Sequence, residues 1–86
     1  MDISLELTWN PIQDDCELII KDFIKSLRSS NLKILETPLN TQVYGDYKKV
    51  MNFINDELYK TFLNSKSIIM NMKIIKSDRS DYAPIF

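Results

Sequence analysis

The sequence predicts one α+β domain, in which two helices lie on one face of a four-stranded antiparallel sheet. Three observations lead to this prediction. The chain has 86 residues, enough for a single small domain (1–86) with a modest core. Four short segments have the alternation or composition of strands, and two longer segments repeat apolar residues at the helical period. The six segments follow one another in the order β-α-β-β-α-β.

The first strand and the first helix have the clearest patterns. ISLELTW at 3–9 alternates apolar and polar residues, the period of a strand with unlike faces. Pro11 then interrupts the regular structure. Asp14 and Glu17 then resemble a capping box, and Asn31 tolerates the left-handed conformation that ends many helices. Between them, DDCELIIKDFIKSLRSS has apolar residues with helical spacing, at positions 16, 19, 20, 23, 24 and 27.

The middle of the chain predicts a tight antiparallel pair of strands. LKILET at 32–37 is rich in apolar and β-branched residues, and Pro38 ends it or confines it to an edge. TQVYG at 41–45 follows after a short turn. The shortness of that turn favours a hairpin.

A second helix and a fourth strand complete the pattern. Asp46 is an acceptable N-cap for DYKKVMNFINDELYKTFLNS. That segment places one apolar stripe along the helix, formed by Val50, Phe53, Ile54, Leu58 and Phe62. SIIMNMKIIK at 67–76 is the fourth strand, and the tail at 77–86 has no regular pattern.

This order is the split βαβ, or ferredoxin-like, arrangement. Two right-handed crossovers place both helices on one face of the sheet, and the spatial strand order is 4-1-3-2. The other face is then open. A second copy often covers such a face, and Ile69 and Ile75 offer apolar surface for it.

Composition excludes several classes of function. Charged residues make up 27% of the chain and the net charge is −1, without the excess of Lys and Arg that phosphate-backbone binding normally shows, which disfavours nucleic acid as a partner. The start of the chain lacks the pattern of a signal peptide, and no apolar run is long enough to span a membrane, so we expect a cytoplasmic protein. One cysteine, Cys16, and no histidine leave no internal disulfide, no zinc or iron cluster and no catalytic triad. Cys16 lies on the apolar helix face and is expected to be a buried small hydrophobe.

Polar residues on the two central strands form a candidate site. Because the first and third strands are neighbours in this fold, their polar side chains are expected to converge: Ser4, Glu6, Thr8, Thr41, Gln42 and Tyr44. Gly45, the only glycine, follows them. It supplies either a turn with positive φ or room for something that a Cβ would block.

Glu6 needs a partner if it is buried in a central strand, and an amine on a ligand would be one. The alternative is that Glu6 lies on the open face, in water or paired with Lys73. Trp9, Tyr44 and Tyr47 offer flat surfaces for a planar or cationic ring, although most aromatic residues at such positions fill the core.

These residues resemble a known family. ISLELTWNPIQDD is similar to the opening of the thiamine/hydroxymethylpyrimidine-binding, YkoF-like domains. NTQVYGDYKKVMNFINDEL is similar to their second signature, a Thr, three residues, a Gly and an acid that opens a helix, here Thr41, Gly45 and Asp46. SLRSSNLKI also fits, with Asn31 where glycine is usual, and the likeness spans 2–75. The family has an amide near Glu6 and a tyrosine near Asn10, so this chain departs from it at both places.

The resemblance implies a ferredoxin-like domain that binds thiamine or its pyrimidine moiety without catalysis and without a cofactor. Single-domain members pair into homodimers or homotetramers. Glu6 and Thr8 are expected to hydrogen-bond the heterocycle, and Thr41 to help position it. Gly45 is expected to give the ligand room against the backbone. Trp9, Tyr44 or Tyr47 is expected to cover a ring. No catalytic or metal-binding residue is expected.

Other classes of function stay open at this point. A homo-oligomeric interaction module without a ligand is the main alternative, and a cavity of about 300 Å³ or more beside Gly45 would favour ligand binding over it. A phosphatase or mutase of this fold would need a phosphate loop, and the only arginines are Arg28 and Arg79. RNA binding would need exposed strand aromatics with basic neighbours.

Overall fold

The fold is described from a computed structural model, which covers residues 1–11 and 16–85. The elements are β1 (Asp2–Pro11), α1 (Glu17–Arg28), β2 (Lys33–Glu36), β3 (Thr41–Asp46), α2 (Tyr47–Leu63) and β4 (Ile68–Ile75). The sheet has the order β2-β3-β1-β4, and every neighbouring pair is antiparallel. The predicted ferredoxin-like topology, with strand order 4-1-3-2, is therefore confirmed.

The two faces of β1 separate the core from the open side of the sheet. Ile3, Leu5 and Leu7 are at most 2% exposed and pack beneath the helices. The helices and β3 complete the core with Phe23, Leu27, Val43, Val50 and Ile54. The alternation predicted for the first strand is thus the division between core and open face.

The ends of the helices follow the sequence in part. Asn31 has φ of 64° and follows α1, as predicted for its stop. Asp46 is the N-cap residue of α2, but its side chain makes no capping hydrogen bond. Its carboxylate instead accepts a 3.3 Å hydrogen bond from the Met1 ammonium, which lowers the pKa of Asp46. The predicted capping box depends on Asp14, which lies outside the described residues.

The apolar stripe predicted for α2 is buried along only part of its length. Val50 and Ile54 are buried, and Phe53 is partly buried against the core. Phe62 is 48% exposed, so the buried part of this stripe does not extend to it. Cys16 is buried, as its position on the apolar helix face predicted.

Candidate functional site

A pocket of about 170 Å³ lies on the open face of the sheet. Three neighbouring strands contribute most of its walls, with Ser4 and Glu6 on β1, Gln42 and Tyr44 on β3, and Lys73 and Ile75 on β4. Strand register explains why these side chains meet. Glu6 pairs with Gln42 on one side and with Lys73 on the other, and residues opposite each other in antiparallel strands project from the same face.

A chain of hydrogen bonds fixes the polar side chains of the pocket. Asn40 Nδ2 donates to Glu6 Oε2 at 2.7 Å, and Gln42 Nε2 donates to Asn40 Oδ1 at 3.3 Å. The Tyr44 hydroxyl donates to Gln42 Oε1. The second carboxylate oxygen of Glu6, Oε1, accepts no hydrogen bond within the part of the chain that the structure describes. Glu6 therefore presents an oriented acceptor to the pocket.

The turn between β2 and β3 holds Asn40 in place. Thr37 Oγ1 accepts hydrogen bonds from the backbone N–H groups of Leu39 and Asn40, both at 3.1 Å, and donates to Asn40 Oδ1 at 2.8 Å. The sequence predicted this turn but not the role of Asn40. The sequence feature that could have indicated this role is the spacing of Thr37 and Asn40, three positions apart around Pro38. Side chains of Thr and Asn commonly form hydrogen bonds to the backbone of a turn.

Two cations stand beside the one carboxylate of the pocket. Lys73 lies opposite Glu6 in the strand register, and Arg79 lines the pocket from the segment that follows β4. Glu6 lies on the open face, as the alternative interpretation of it had, but among the described residues it forms no ion pair with Lys73. Asn40 is the partner of Glu6 instead. The pocket thus combines an oriented acceptor with a positive rim.

Ser4 anchors the segment that carries Arg79. Its side chain is buried, donates to the Ser77 carbonyl at 2.7 Å and accepts from the Arg79 N–H at 2.8 Å. A hydroxyl in the sheet therefore fixes the chain after β4 beside the pocket. The sequence shows no regular pattern in this segment and did not point to Arg79, because the contact joins residues 75 positions apart.

The structure brings together only some of the residues predicted for the site. Glu6 and Tyr44 both line the pocket. Thr8 projects from the same face of β1, opposite Asn71, but does not line it. Thr41 and Gly45 pair with core residues of β1 and so belong to the face that carries the helices.

The other two aromatic candidates also lie away from the pocket. The ring of Trp9 meets Phe23 edge to face, with 5.0 Å between centroids and 75° between planes. Trp9 Nε1 is buried without a hydrogen-bond partner among the residues described. Tyr47 opens α2 and is 44% exposed. Tyr44 is therefore the one predicted aromatic residue on this pocket wall.

Residues 1–11 and 16–85 hold neither a metal-binding cluster nor a membrane-spanning helix. No group of three or more Asp, Glu, His or Cys side chains there is arranged to hold a metal ion. No helix there has the length and apolar character needed to cross a bilayer.

Comparison with known proteins finds similar structures. No family model and no curated protein matches the sequence. A Streptococcus pneumoniae protein has a TM-score of 0.81 at 20% identity, over 94% of this chain and 92% of its own. A Thermotoga maritima protein provisionally assigned to thiamine biosynthesis or salvage has a TM-score of 0.76 at 19% identity, over 90% of this chain and 85% of its own. A Bacillus cereus domain of unknown function, DUF77, has a TM-score of 0.73 at 11% identity, over 90% of this chain and 77% of its own. At such identities the likeness shows the fold.

Proposed function

We propose that this protein is a YkoF-like domain whose open-face pocket binds thiamine or its hydroxymethylpyrimidine moiety reversibly and without catalysis. One observation carries the proposal: Asn40 orients the Glu6 carboxylate, which keeps one oxygen available at the pocket. The provisional thiamine-related assignment of the Thermotoga maritima neighbour supports the same ligand class.

The pocket offers the contacts that an aminopyrimidine needs. The exocyclic amine of the ring would donate to Glu6 Oε1, a charge-assisted hydrogen bond. Tyr44 and Ile75 both line the pocket and flank Ser4 across the sheet, so they would supply apolar surface to the faces of the ring. The ligand would bind without forming a covalent bond.

Size and charge favour the pyrimidine over intact thiamine. A volume of about 170 Å³ corresponds to roughly six water molecules and suits a single ring. Thiamine adds a second ring with a permanent positive charge, which Lys73 and Arg79 would repel. We therefore expect hydroxymethylpyrimidine to bind more tightly than thiamine. The Lys73→Gln substitution removes one of the two positive charges and should reduce this difference in affinity.

Calorimetric titration of the purified protein with each compound tests the proposal. Hydroxymethylpyrimidine should bind saturably, and Glu6→Ala should weaken it by about 10- to 150-fold, because it removes a hydrogen bond to a charged group. Glu17→Ala, which removes an exposed carboxylate on α1, is the matched control and should bind like the wild type. Unchanged affinity in Glu6→Ala, or no binding of either compound, would overturn the proposal.

A homo-oligomeric interaction module without a small ligand is the second candidate. The pocket is smaller than the 300 Å³ or more that ligand pockets usually offer, and Gly45 does not line it. These two observations favour the second candidate. Absence of binding heat together with a defined oligomer in solution would support it.

A further inference from the structure

The two cations of the pocket have no anionic partner among the described residues. Lys73 and Arg79 both line the pocket, yet neither forms an ion pair in that part of the chain. Glu6, the one acid in the lining, is held by Asn40 instead. The pocket therefore carries two positive groups and one negative group, in a chain whose net charge is −1. A ligand with negative charge would match this local excess of positive charge.

Hydrogen bonds hold both the backbone and the guanidinium group of Arg79. Its backbone N–H donates to the buried Ser4 hydroxyl at 2.8 Å, and its Nε donates to Ser77 Oγ at 3.0 Å. The Ser4 hydroxyl also donates to the Ser77 carbonyl at 2.7 Å. The two terminal guanidinium nitrogens make no hydrogen bond within residues 1–11 and 16–85. Arg79 thus presents two free donor groups in the planar arrangement that binds an oxyanion through two hydrogen bonds.

Asp78, the acid next to Arg79 in the chain, is bonded elsewhere. Its Oδ1 accepts a hydrogen bond from the backbone N–H of Ser80 at 2.8 Å, and the hydrogen bonds from Ser80 lower the pKa of Asp78. Asp78 forms no ion pair with Arg79 in the described part of the chain. The charge of Arg79 is therefore available to the pocket.

The strand register places these cations close to the carboxylate of Glu6. Lys73 lies opposite Glu6 on β4, and neighbouring strands are about 4.8 Å apart. Arg79 is anchored to Ser4, which precedes Glu6 by two residues on the same face of β1. A group bonded to Glu6 can therefore have its nearest substituent beside a cation.

We propose that the pocket recognises a phosphomonoester, namely hydroxymethylpyrimidine with phosphate on its hydroxymethyl oxygen. This inference rests on the proposed function, because it assumes the same pyrimidine in the same pocket. The amine and the hydroxymethyl group are adjacent substituents of that ring, so an amine bonded to Glu6 Oε1 directs the phosphate toward Lys73 and Arg79. The phosphate stays at the rim of the pocket, since both cations are exposed.

Charge favours the phosphomonoester over the free alcohol. A phosphomonoester carries nearly two negative charges at neutral pH and offers three acceptor oxygens. Lys73 and Arg79 attract it, whereas Glu6 alone repels it, so the net interaction is attractive. The free alcohol leaves both cations without a partner. Phosphorylation of the ligand should thus increase its affinity for this pocket.

Calorimetric titration with the phosphomonoester and with free hydroxymethylpyrimidine tests the inference. The wild type should bind the phosphomonoester at least about tenfold more tightly, because the cations add charge-assisted hydrogen bonds. Arg79→Gln and Lys73→Gln should each reduce this preference. Arg79→Lys should retain part of it, since Lys keeps the charge without the planar fork. Lys48→Gln, which removes an exposed lysine outside the pocket lining, is the matched control and should keep the full preference.

Two further titrations identify the source of the affinity. Raising the salt concentration from about 50 mM to about 500 mM should weaken binding of the phosphomonoester more than binding of the uncharged pyrimidine. Inorganic phosphate alone should bind at least about tenfold more weakly than the phosphomonoester, because it lacks the ring contacts and the hydrogen bond to Glu6. Circular dichroism verifies that the variants fold.

The outcomes separate this inference from the proposed function. If hydroxymethylpyrimidine binds and Glu6→Ala weakens it, but the phosphomonoester binds no more tightly, the proposed function stands and the phosphate inference is overturned. A preference that survives in both Arg79→Gln and Lys73→Gln also overturns it, as does equal affinity for inorganic phosphate. If neither pyrimidine compound binds, the inference and the proposed function are both overturned.

Discussion

At the scale of single residues, Gly45 fills a position where a Cβ has no room. A Cβ there would lie 3.2 Å from Val50 Cγ2 and 3.4 Å from Leu32 Cδ2, and φ is +157°. Both neighbours belong to the core or pack against it. The close approach that the sequence suggested for Gly45 is therefore an approach by core side chains.

Gly45→Ala should lower the free energy of unfolding by about 1 to 3 kcal/mol. The substitution crowds Val50 and imposes an unfavourable φ on an L residue. Urea unfolding followed by circular dichroism measures the change. Lys48→Ala, at an exposed position of α2, is the control and should change stability by less than about 0.5 kcal/mol. An alanine variant as stable as the wild type would show that the backbone relaxes without cost.

At the scale of elements, the Arg28–Glu36 pair joins the end of α1 to the edge strand β2. Arg28 Nε and a terminal guanidinium nitrogen each lie 2.7 Å from a Glu36 carboxylate oxygen. The hydrogen bonds from Arg28 lower the pKa of Glu36. The pair connects two consecutive elements on the surface, so its contribution should be small and sensitive to salt.

Because the pKa of Glu36 is lowered in the folded protein, the stability that the pair contributes decreases in acid. Stabilisation by the pair is fully present above the ordinary Glu pKa of about 4.3 and is lost as pH falls through the lower folded value. Wild type should therefore melt slightly above Glu36→Gln at neutral pH, and the two should converge in acid. Thermal unfolding across that range measures the difference, and high salt should reduce it. A difference that persists at the lowest pH would argue against the ion pair as its cause.

At the scale of the whole molecule, one small core holds the sheet and both helices together. Phe23 of α1 is 1% exposed and lies among residues of β1, β3 and α2. A chain of 86 residues buries a smaller share of its surface than a larger domain does. Each large core side chain therefore contributes a large part of the total stability.

Phe23→Ala should lower the free energy of unfolding by about 3 to 5 kcal/mol, a large share of the roughly 5 to 15 kcal/mol typical of a domain. The loss combines the burial of the ring with the cavity that remains. Phe62→Ala is the matched control, because Phe62 is 48% exposed, and it should cost far less. Urea unfolding of both variants measures the difference. Equal losses in the two variants would mean that the core is not centred on Phe23.

The pocket shows where local pattern stops being informative. Alternation along β1 placed Glu6 on the face opposite Leu5 and Leu7, and the structure agrees. Thr41 was expected to converge with Tyr44, but residues three positions apart in a strand project from opposite faces, and Thr41 pairs with the core residue Leu7. The contribution of Arg79 was not implied, because it depends on hydrogen bonds to Ser4 across the sheet.

The sequence by itself determined the six elements, their order and the sheet topology. Periods of 2.0 and 3.6 residues are local properties, and the handedness of crossovers leaves few ways to connect such elements. Only the tertiary structure decided which polar side chains meet around Glu6 and that Arg79 joins them. Those outcomes depend on strand register, on the Thr37–Asn40 turn and on contacts between distant residues, none of which a local pattern encodes.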